Sequence, residues 1–208
     1  MCDVSVHVFS FLIRCNRTEA PIVKSKKKKT AYYNSSAVAP TLATRSCASM
    51  PNVNEMSWYC ENGDVHWDNT EYWSNSGGTT LYTGGIWMMK KAAIIAAGLT
   101  FSSTMGATGG DMRVNAYPYS KTVEKNGKPT NVDNYFFLPA AGWYYYVNGA
   151  STGVFSEGRY WTASPYPGNN AGAFGMSFVP DTNGNYELNI SSQNRNNGIL
   201  AGSQQWFQ

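Results

Sequence analysis

The C-terminal part of the chain alternates short apolar runs with turn residues, and this pattern limits the fold more than any other feature. From Tyr135 onward, aromatic and β-branched runs are separated by Gly, Pro and Asn, as in antiparallel strands joined by tight turns. Alternation in Tyr186–Ile190 places Tyr186, Leu188 and Ile190 on one face of a strand. The predicted strands are Tyr135–Leu138, Trp143–Val147, Arg159–Ala163, Phe174–Val179, Tyr186–Ile190 and Ile199–Ala201.

The segment Asn52–Glu61 predicts a short amphipathic helix. Asn52 is a suitable N-cap, Glu55 follows three residues later, and Gly63 provides a stop. Helices early and an antiparallel sheet late make the expected fold class α+β. The remaining segments are predicted to be an aromatic-pinned loop or another helical turn at Asp64–Asn75, a helix in the later part of Ile86–Leu99, and a long surface excursion at 102–134.

Charge is unevenly distributed along the 208 residues. Residues 1–50 hold eight Lys and Arg residues against two acidic ones, whereas residues 51–208 hold eight against eleven. The run Lys26–Lys29 is typical of a solvated linker, with a patch for nucleic acid or anionic lipid as the alternative. A mildly acidic domain repels nucleic-acid phosphate, so no nucleic-acid partner is expected. We predict an irregular, poorly structured leader or linker at 1–45 and one domain at 46–208.

The apolar stretches are short. The longest, Val6–Ile13 and Ala92–Leu99, fall well below the ~20 residues that a membrane-spanning helix needs. We therefore expect no membrane insertion by this chain. Val6–Ile13 also lacks a preceding positive charge, so it does not have the polarity of a secretion signal.

Residues that bind metals or act as nucleophiles are sparse. Asp64, His66 and Asp68 occupy alternate positions, as ligands on an extended segment could, but an ordinary polar loop explains them better. Cys47 and Cys60 could form a disulfide or remain thiols, and the sequence contains no C-x-x-C pair. We expect no metal and no cofactor.

Catalytic motifs are equally scarce. The sequence has no G-x-S-x-G, and no histidine follows His66 to act as a base. The enzymatic alternative is a hydrolase using paired carboxylates among Glu157, Asp181 and Glu187. Since most acidic residues are simply solvated, a protein without enzymatic activity is expected.

The segment 164–198 carries the positive signal. Eight asparagines lie between Gly168 and Gln208, and strand alternation sends several of them to the face opposite the core. Exposed Asn, Ser, Tyr and Gln form a neutral hydrogen-bonding surface of the composition that antibody loops favour. Such a surface suits saccharide hydroxyls or polar proteins, and the alternative is a solvent face with turn-forming Asn.

Several motifs occur along the chain: Tyr135–Gly142, Gly158–Ser164 and Arg195 with Gly198, together with Ser49–Tyr59, Gly84–Trp87 and the terminal Trp206–Gln208. They resemble a known family, the Fibrobacter succinogenes major paralogous domain, which has a C-type-lectin-like fold. The resemblance covers about residues 46–208, and part of it is similar to Bacteroides-type fimbrillin-like surface proteins. It also extends to the variable proteins of diversity-generating retroelements.

The resemblance implies a cell-surface or extracellular adhesin-like domain that binds a protein or glycan ligand through a sheet face. The Glu-Pro-Asn and Trp-Asn-Asp motifs of calcium-dependent lectins are missing, so calcium-mediated capture of sugars is not implied. The alternatives are a retroelement variable protein with the same face diversified and a structural pilus subunit. The ligand-binding residues that the resemblance implies are Tyr166, Asn169, Asn170, Ser177, Asn189, Ser191, Asn194 and Asn196.

Overall fold

The computed structural model describes residues 47–74, 80–145, 150–169, 171–195 and 197–200, and the backbone of three two-residue strands before residue 47. This part of the chain is mostly β-sheet with two α-helices, which confirms the α+β class. The helices are α1 (Val53–Asn62), α2 (Lys91–Ala96) and a 3-10 helix (Val132–Asn134). The strands are β1 (Leu12–Ile13), β2 (Tyr32–Tyr33), β3 (Thr41–Leu42), β4 (His66–Ser74), β5 (Leu81–Met89), β6 (Tyr119–Val123), β7 (Lys125–Asn126), β8 (Tyr135–Pro139), β9 (Ala141–Tyr144), β10 (Ser151–Val154), β11 (Gly158–Pro165), β12 (Gly172–Pro180), β13 (Tyr186–Asn194) and β14 (Ile199–Leu200).

Helix α1 begins where the sequence predicts. The Asn52 side chain accepts hydrogen bonds from the backbone N–H groups of Asn54 and Glu55, at 2.9 and 3.0 Å. The Glu55 carboxylate accepts in return from the Asn52 N–H at 2.8 Å, which completes a capping box. The helix ends at Asn62, immediately before Gly63, so its start and stop signals are both confirmed.

The central sheet has the strand order β1–β14–β11–β12–β13–β6, with β9 paired to β11 and β10 paired to β9. A second sheet has the order β7–β4–β5–β8, and β2 pairs with β3. Helix α1 packs against the central sheet through β11, β12 and β13. The main core lies between them and includes Val53, Met56, Tyr59, Tyr160, Phe174, Met176, Phe178, Leu188 and Ile190.

The prediction of a loop or helical turn at Asp64–Asn75 is wrong, because residues 66–74 form strand β4. The pairing with β5 shifts register between Asp68 and Tyr72. Asp68 is 1% exposed and accepts from the Trp87 indole N–H at 3.0 Å and the Thr70 N–H at 2.8 Å. Burial acts to raise the pKa of Asp68, but these hydrogen bonds outweigh it and lower the pKa. The buried Asp68 carboxylate therefore stabilises β4 at the place where its register with β5 shifts.

The helix predicted in the later part of Ile86–Leu99 is confirmed as α2, and the earlier residues Ile86–Met89 belong to strand β5. The predicted surface excursion contains β6, which pairs with β13 in the central sheet. Helix α1 holds part of the same excursion, since the buried Asn54 amide donates to Asp111 at 2.8 Å and accepts from the Met112 N–H at 2.9 Å.

The thiol alternative holds for the two cysteines of the domain. Cys47 and Cys60 are both buried, and no disulfide joins them. Both belong to the main core. Burial raises the pKa of the Cys60 thiol well above its ordinary value, so it packs as a small apolar side chain rather than reacting.

Candidate functional site

The face of the central sheet opposite α1 brings polar side chains of four strands into one row. Strand register pairs Ser177 with Arg159 on one side and with Asn189 on the other. Asn189 also pairs with Ser120 of β6. Since paired residues point to the same face, these side chains form one line across the sheet, which we call the polar row: Arg159, Ser177, Asn189 and Ser120.

The polar row is open on one side only. Ser120 and Thr122 are exposed, and Asn189 and Ser191 are partly exposed. Towards β11, however, Trp161 is fully buried although it lies on the same face as Arg159. Solvent therefore reaches this face from the β13 and β6 side.

Ser177 is less exposed than predicted. The sequence places it among displayed residues, but it is only 6% exposed, because it stands between the longer side chains of Arg159 and Asn189. Its hydroxyl makes no hydrogen bond to another described residue. Among the described side chains, the solvent-excluded polar atoms without a partner are His66 Nδ1 and Arg159 Nε, so the Ser177 hydroxyl still reaches solvent.

Asn189 and Ser191 take the predicted position on this face. The Asn189 amide has no hydrogen bond to another described residue. Ser191 accepts a hydrogen bond from Gln193 Nε2 at 3.1 Å, which leaves its own O–H free to donate. The open part of the face therefore offers an amide and hydroxyls with unused hydrogen-bonding capacity.

Asn194 does not belong to this surface. Strand β13 continues through Asn194, which pairs with Gly172. Alternation along the strand puts Asn194 on the same side as Leu188 and Ile190, opposite Asn189. The prediction that Asn189 and Asn194 share one displayed face is therefore wrong.

Tyr166 and Asn169, two of the predicted ligand-binding residues, lie in the loop between β11 and β12 and stabilise that loop. Tyr166 packs edge-to-face against Phe174, with 5.2 Å between ring centroids. The exposed Asn169 accepts from the backbone N–H groups of Ala171 and Gly172, at 3.0 and 2.8 Å, as turn-forming Asn does. Two more of the predicted ligand-binding residues, Asn170 and Asn196, lie outside the described residues.

Sequence reasoning missed a polar cluster at the β11 end of the row. The Arg159 guanidinium lies 4.1 Å from the centre of the Trp143 ring and donates to Glu157 at 3.2 Å and to Gln193 at 3.1 Å. The Trp143 indole N–H donates to Glu157 at 2.8 Å. The sequence signal for this pair is the spacing of Glu157 and Arg159, which places both side chains on one face of an extended segment.

A glycine allows this cluster to form across the sheet. A Cβ atom at Gly175 would lie 2.8 Å from Gln193 Cγ, so the absence of a side chain lets Gln193 lie across β12. Gln193 is 9% exposed and connects Ser191 with Arg159. The cluster therefore fixes the side chains next to the polar row.

The three carboxylates of the hydrolase alternative each have separate partners. Glu157 binds Arg159 and Trp143, and Asp181 accepts from the N–H groups of its own turn. Glu187 accepts from the Ser120 hydroxyl. No hydrogen bond in the described structure joins two of these acids, so each carboxylate makes local contacts of its own.

Of the alternating acids and histidine of residues 64–68, Asp64 and His66 remain in contact, whereas Asp68 has other partners. Asp64 accepts hydrogen bonds from Lys125 and from the Tyr135 hydroxyl at 2.6 Å, and it lies 3.4 Å from His66 Nε2. Burial acts to raise the pKa of Asp64, but these contacts outweigh it and lower the pKa to about 2. Asp68 has its own partners in β4 and β5. The described residues contain no group of His, Cys, Asp and Glu that could hold a metal ion.

A comparison of the chain with family models, with curated proteins and with solved structures found no match. Among the described residues, neither α-helix has the length and apolar character needed to cross a membrane.

Proposed function

We propose that residues 46–208 form a recognition domain, without catalytic activity, that binds a polar protein or glycan through the open part of the polar row. The observation that carries this proposal is the pair of Ser177 and Asn189. They are directly opposed on β12 and β13, and neither side chain is hydrogen-bonded to another described residue. Buried or partly buried polar groups normally have partners, so a pair without them is suited to an external ligand.

The scaffold favours recognition for a second reason. The row lies on strands whose other face is packed against α1, with Met176, Phe178 and Ile190 fully buried. Side chains on paired strands of a packed sheet are held at fixed spacing, and such preorganisation reduces the entropy lost on binding. We further propose, on the resemblance described above, that the scaffold is C-type-lectin-like and acts at the cell surface or outside the cell.

The test is a binding screen of the full chain against glycan and protein arrays, followed by two Asn→Ala variants. Asn189→Ala should weaken binding of any captured ligand. Asn115→Ala removes the same group from an exposed loop and should leave binding unchanged. Both variants should unfold within about 0.5 kcal/mol of the original chain, as surface substitutions usually do. Equal binding by both variants would contradict the proposal.

A further inference from the structure

We propose that the ligand is a neutral saccharide, bound directly through Ser177, Asn189, Val179 and Glu187. We call these four residues the diol site. This inference rests on the proposed function and deepens it by naming the class of ligand. It commits to direct hydrogen bonds with sugar hydroxyls, without a bridging metal ion.

Strand register places the four residues of the diol site next to each other on one face of the sheet, in a small area that we call the window. Ser177 pairs with Asn189, and Val179 pairs with Glu187, in adjacent rows of the same face. Opposed Cβ atoms are about 5 Å apart, and successive residues on one face are separated by about 7 Å along the strand. A window of these dimensions matches one sugar ring more closely than an extended protein surface.

The chemical groups in the window complement a polyol. A sugar hydroxyl both donates and accepts, so it can donate to the Glu187 carboxylate and accept from the Asn189 amide. Glu187 Oε1 accepts from Ser120, which leaves Oε2 for a hydroxyl of the ligand. Hydrogen bonds to an ionised carboxylate are roughly twice as strong as those between neutral groups. The methyl groups of Val179, which is partly exposed, provide an apolar contact for the C–H groups of the ring.

Charge excludes acidic ligands from this window. Glu187 carries the negative charge of the site, and the nearest described cation along the row is Arg159, which is paired with Glu157. A sulfate, phosphate or sialic-acid carboxylate placed at Asn189 would therefore meet an uncompensated carboxylate at short range. The same reasoning favours uncharged sugars over acidic peptides.

The composition of the open face disfavours a protein ligand. Protein interfaces depend on buried aromatic or arginine anchors near their centre. The open side presents Ser120, Thr122, Asn189 and Ser191, all of which are polar, while the guanidinium of Arg159 is held between Trp143 and Glu157. The row therefore lacks an exposed anchor for a protein partner and retains the small polar groups that a saccharide needs.

The experiment measures binding of the full chain to an array of neutral, sialylated and sulfated glycans, followed by calorimetric titration with the methyl glycoside of the neutral sugar that binds best. Glu187→Gln should weaken binding about tenfold or more, because the sugar hydroxyl loses a charged acceptor, and Asn189→Ala should weaken it about threefold or more, because a neutral hydrogen bond is lost. Asn115→Ala should bind as the original chain does. Addition of a chelator should leave the affinity unchanged, and thermal unfolding of each variant establishes that it is folded.

Each contrary result has a distinct meaning. Binding to neutral sugars that survives both site variants, or that a chelator abolishes, would overturn the diol site. Binding only to sialylated or sulfated glycans would overturn the inference from charge. A protein ligand whose binding is lost in Asn189→Ala, together with no binding of any neutral sugar, would overturn the saccharide inference. The proposed recognition function of the face would then still hold. If nothing binds through this face, both proposals fail.

Discussion

The Asp64 carboxylate offers a sharp test of the side-chain arrangement between α1 and β4. Its hydrogen bonds with Lys125 and Tyr135 favour the ionised form more than burial disfavours it, and they lower the pKa from 3.8 to about 2. One pKa unit corresponds to about 1.4 kcal/mol, so the difference amounts to roughly 2 kcal/mol of folding free energy. The Asp64 side chain is 30% exposed, and solvent screening reduces this value to roughly 1–2 kcal/mol.

The direction of the pH dependence follows from the sign of the shift. The pKa of Asp64 is lower in the folded chain than in the unfolded chain, so the unfolded state binds the proton more readily. The stabilisation is therefore fully present above about pH 4 and is lost as the pH falls through about 2. A variant without the carboxylate should lack this contribution at every pH, so only the original chain should lose it as the pH falls.

Asp64→Asn is the appropriate variant. Asp64 has a φ of 43°, in the left-handed region that Asn tolerates better than Ala, so this substitution removes the charge without adding backbone strain. Urea unfolding at pH 7 should show the original chain to be more stable by roughly 1–2 kcal/mol. The difference between the two chains should shrink between pH 4 and pH 2. A difference that stays constant over this range would refute the electrostatic explanation.

Other substitutions test the packing and the helix start. A Cβ atom at Gly158 would collide with the Phe178 ring and lie 2.9 Å from the Pro139 carbonyl oxygen, so Gly158→Ala should cost about 1–3 kcal/mol and lower the melting temperature by roughly 2–10 °C. Its matched control is Gly110→Ala, whose Cβ would be 3.7 Å from Tyr117, and equal melting of the two variants would contradict the packing. Asn52→Ala removes the capping box of α1 and should lower the free energy of unfolding in urea by about 0.5–2 kcal/mol, and an unchanged value would show that the cap is unimportant.

The sequence predicted the elements whose signals are local. Helix α1 has its cap and its stop within a few residues of its ends, and Asn52 makes the expected bonds. The alternation of apolar and polar residues in Tyr186–Ile190 predicts which side chains are buried, because every second side chain of the strand points into the core. Both predictions depended on neighbours in the chain rather than on distant contacts, and both are confirmed.

The errors arose where distant contacts decide the structure. Strand β4 contains Asp68 and Asn69, residues that usually disfavour strands. It nevertheless forms because β5 pairs with it and the Trp87 indole binds the buried Asp68. The resemblance implied that Asn194 is displayed with Asn189, whereas the observed strand continues to Asn194 and its alternation puts the two side chains on opposite faces.

The core and the diol site are linked through strand register. Phe178 lies between Ser177 and Val179 in the sequence and packs in the core on the opposite face of the sheet. Leu188 lies in the same way between Glu187 and Asn189. A one-residue slip of either strand would move its apolar side chains out of the core, so the core fixes the spacing of the polar side chains on the other face. Ser177 is nearly enclosed by its neighbours, whereas Asn189 and Glu187 are partly exposed. Substitutions at Asn189 and Glu187 therefore test the proposed ligand binding without altering the packing that positions this face.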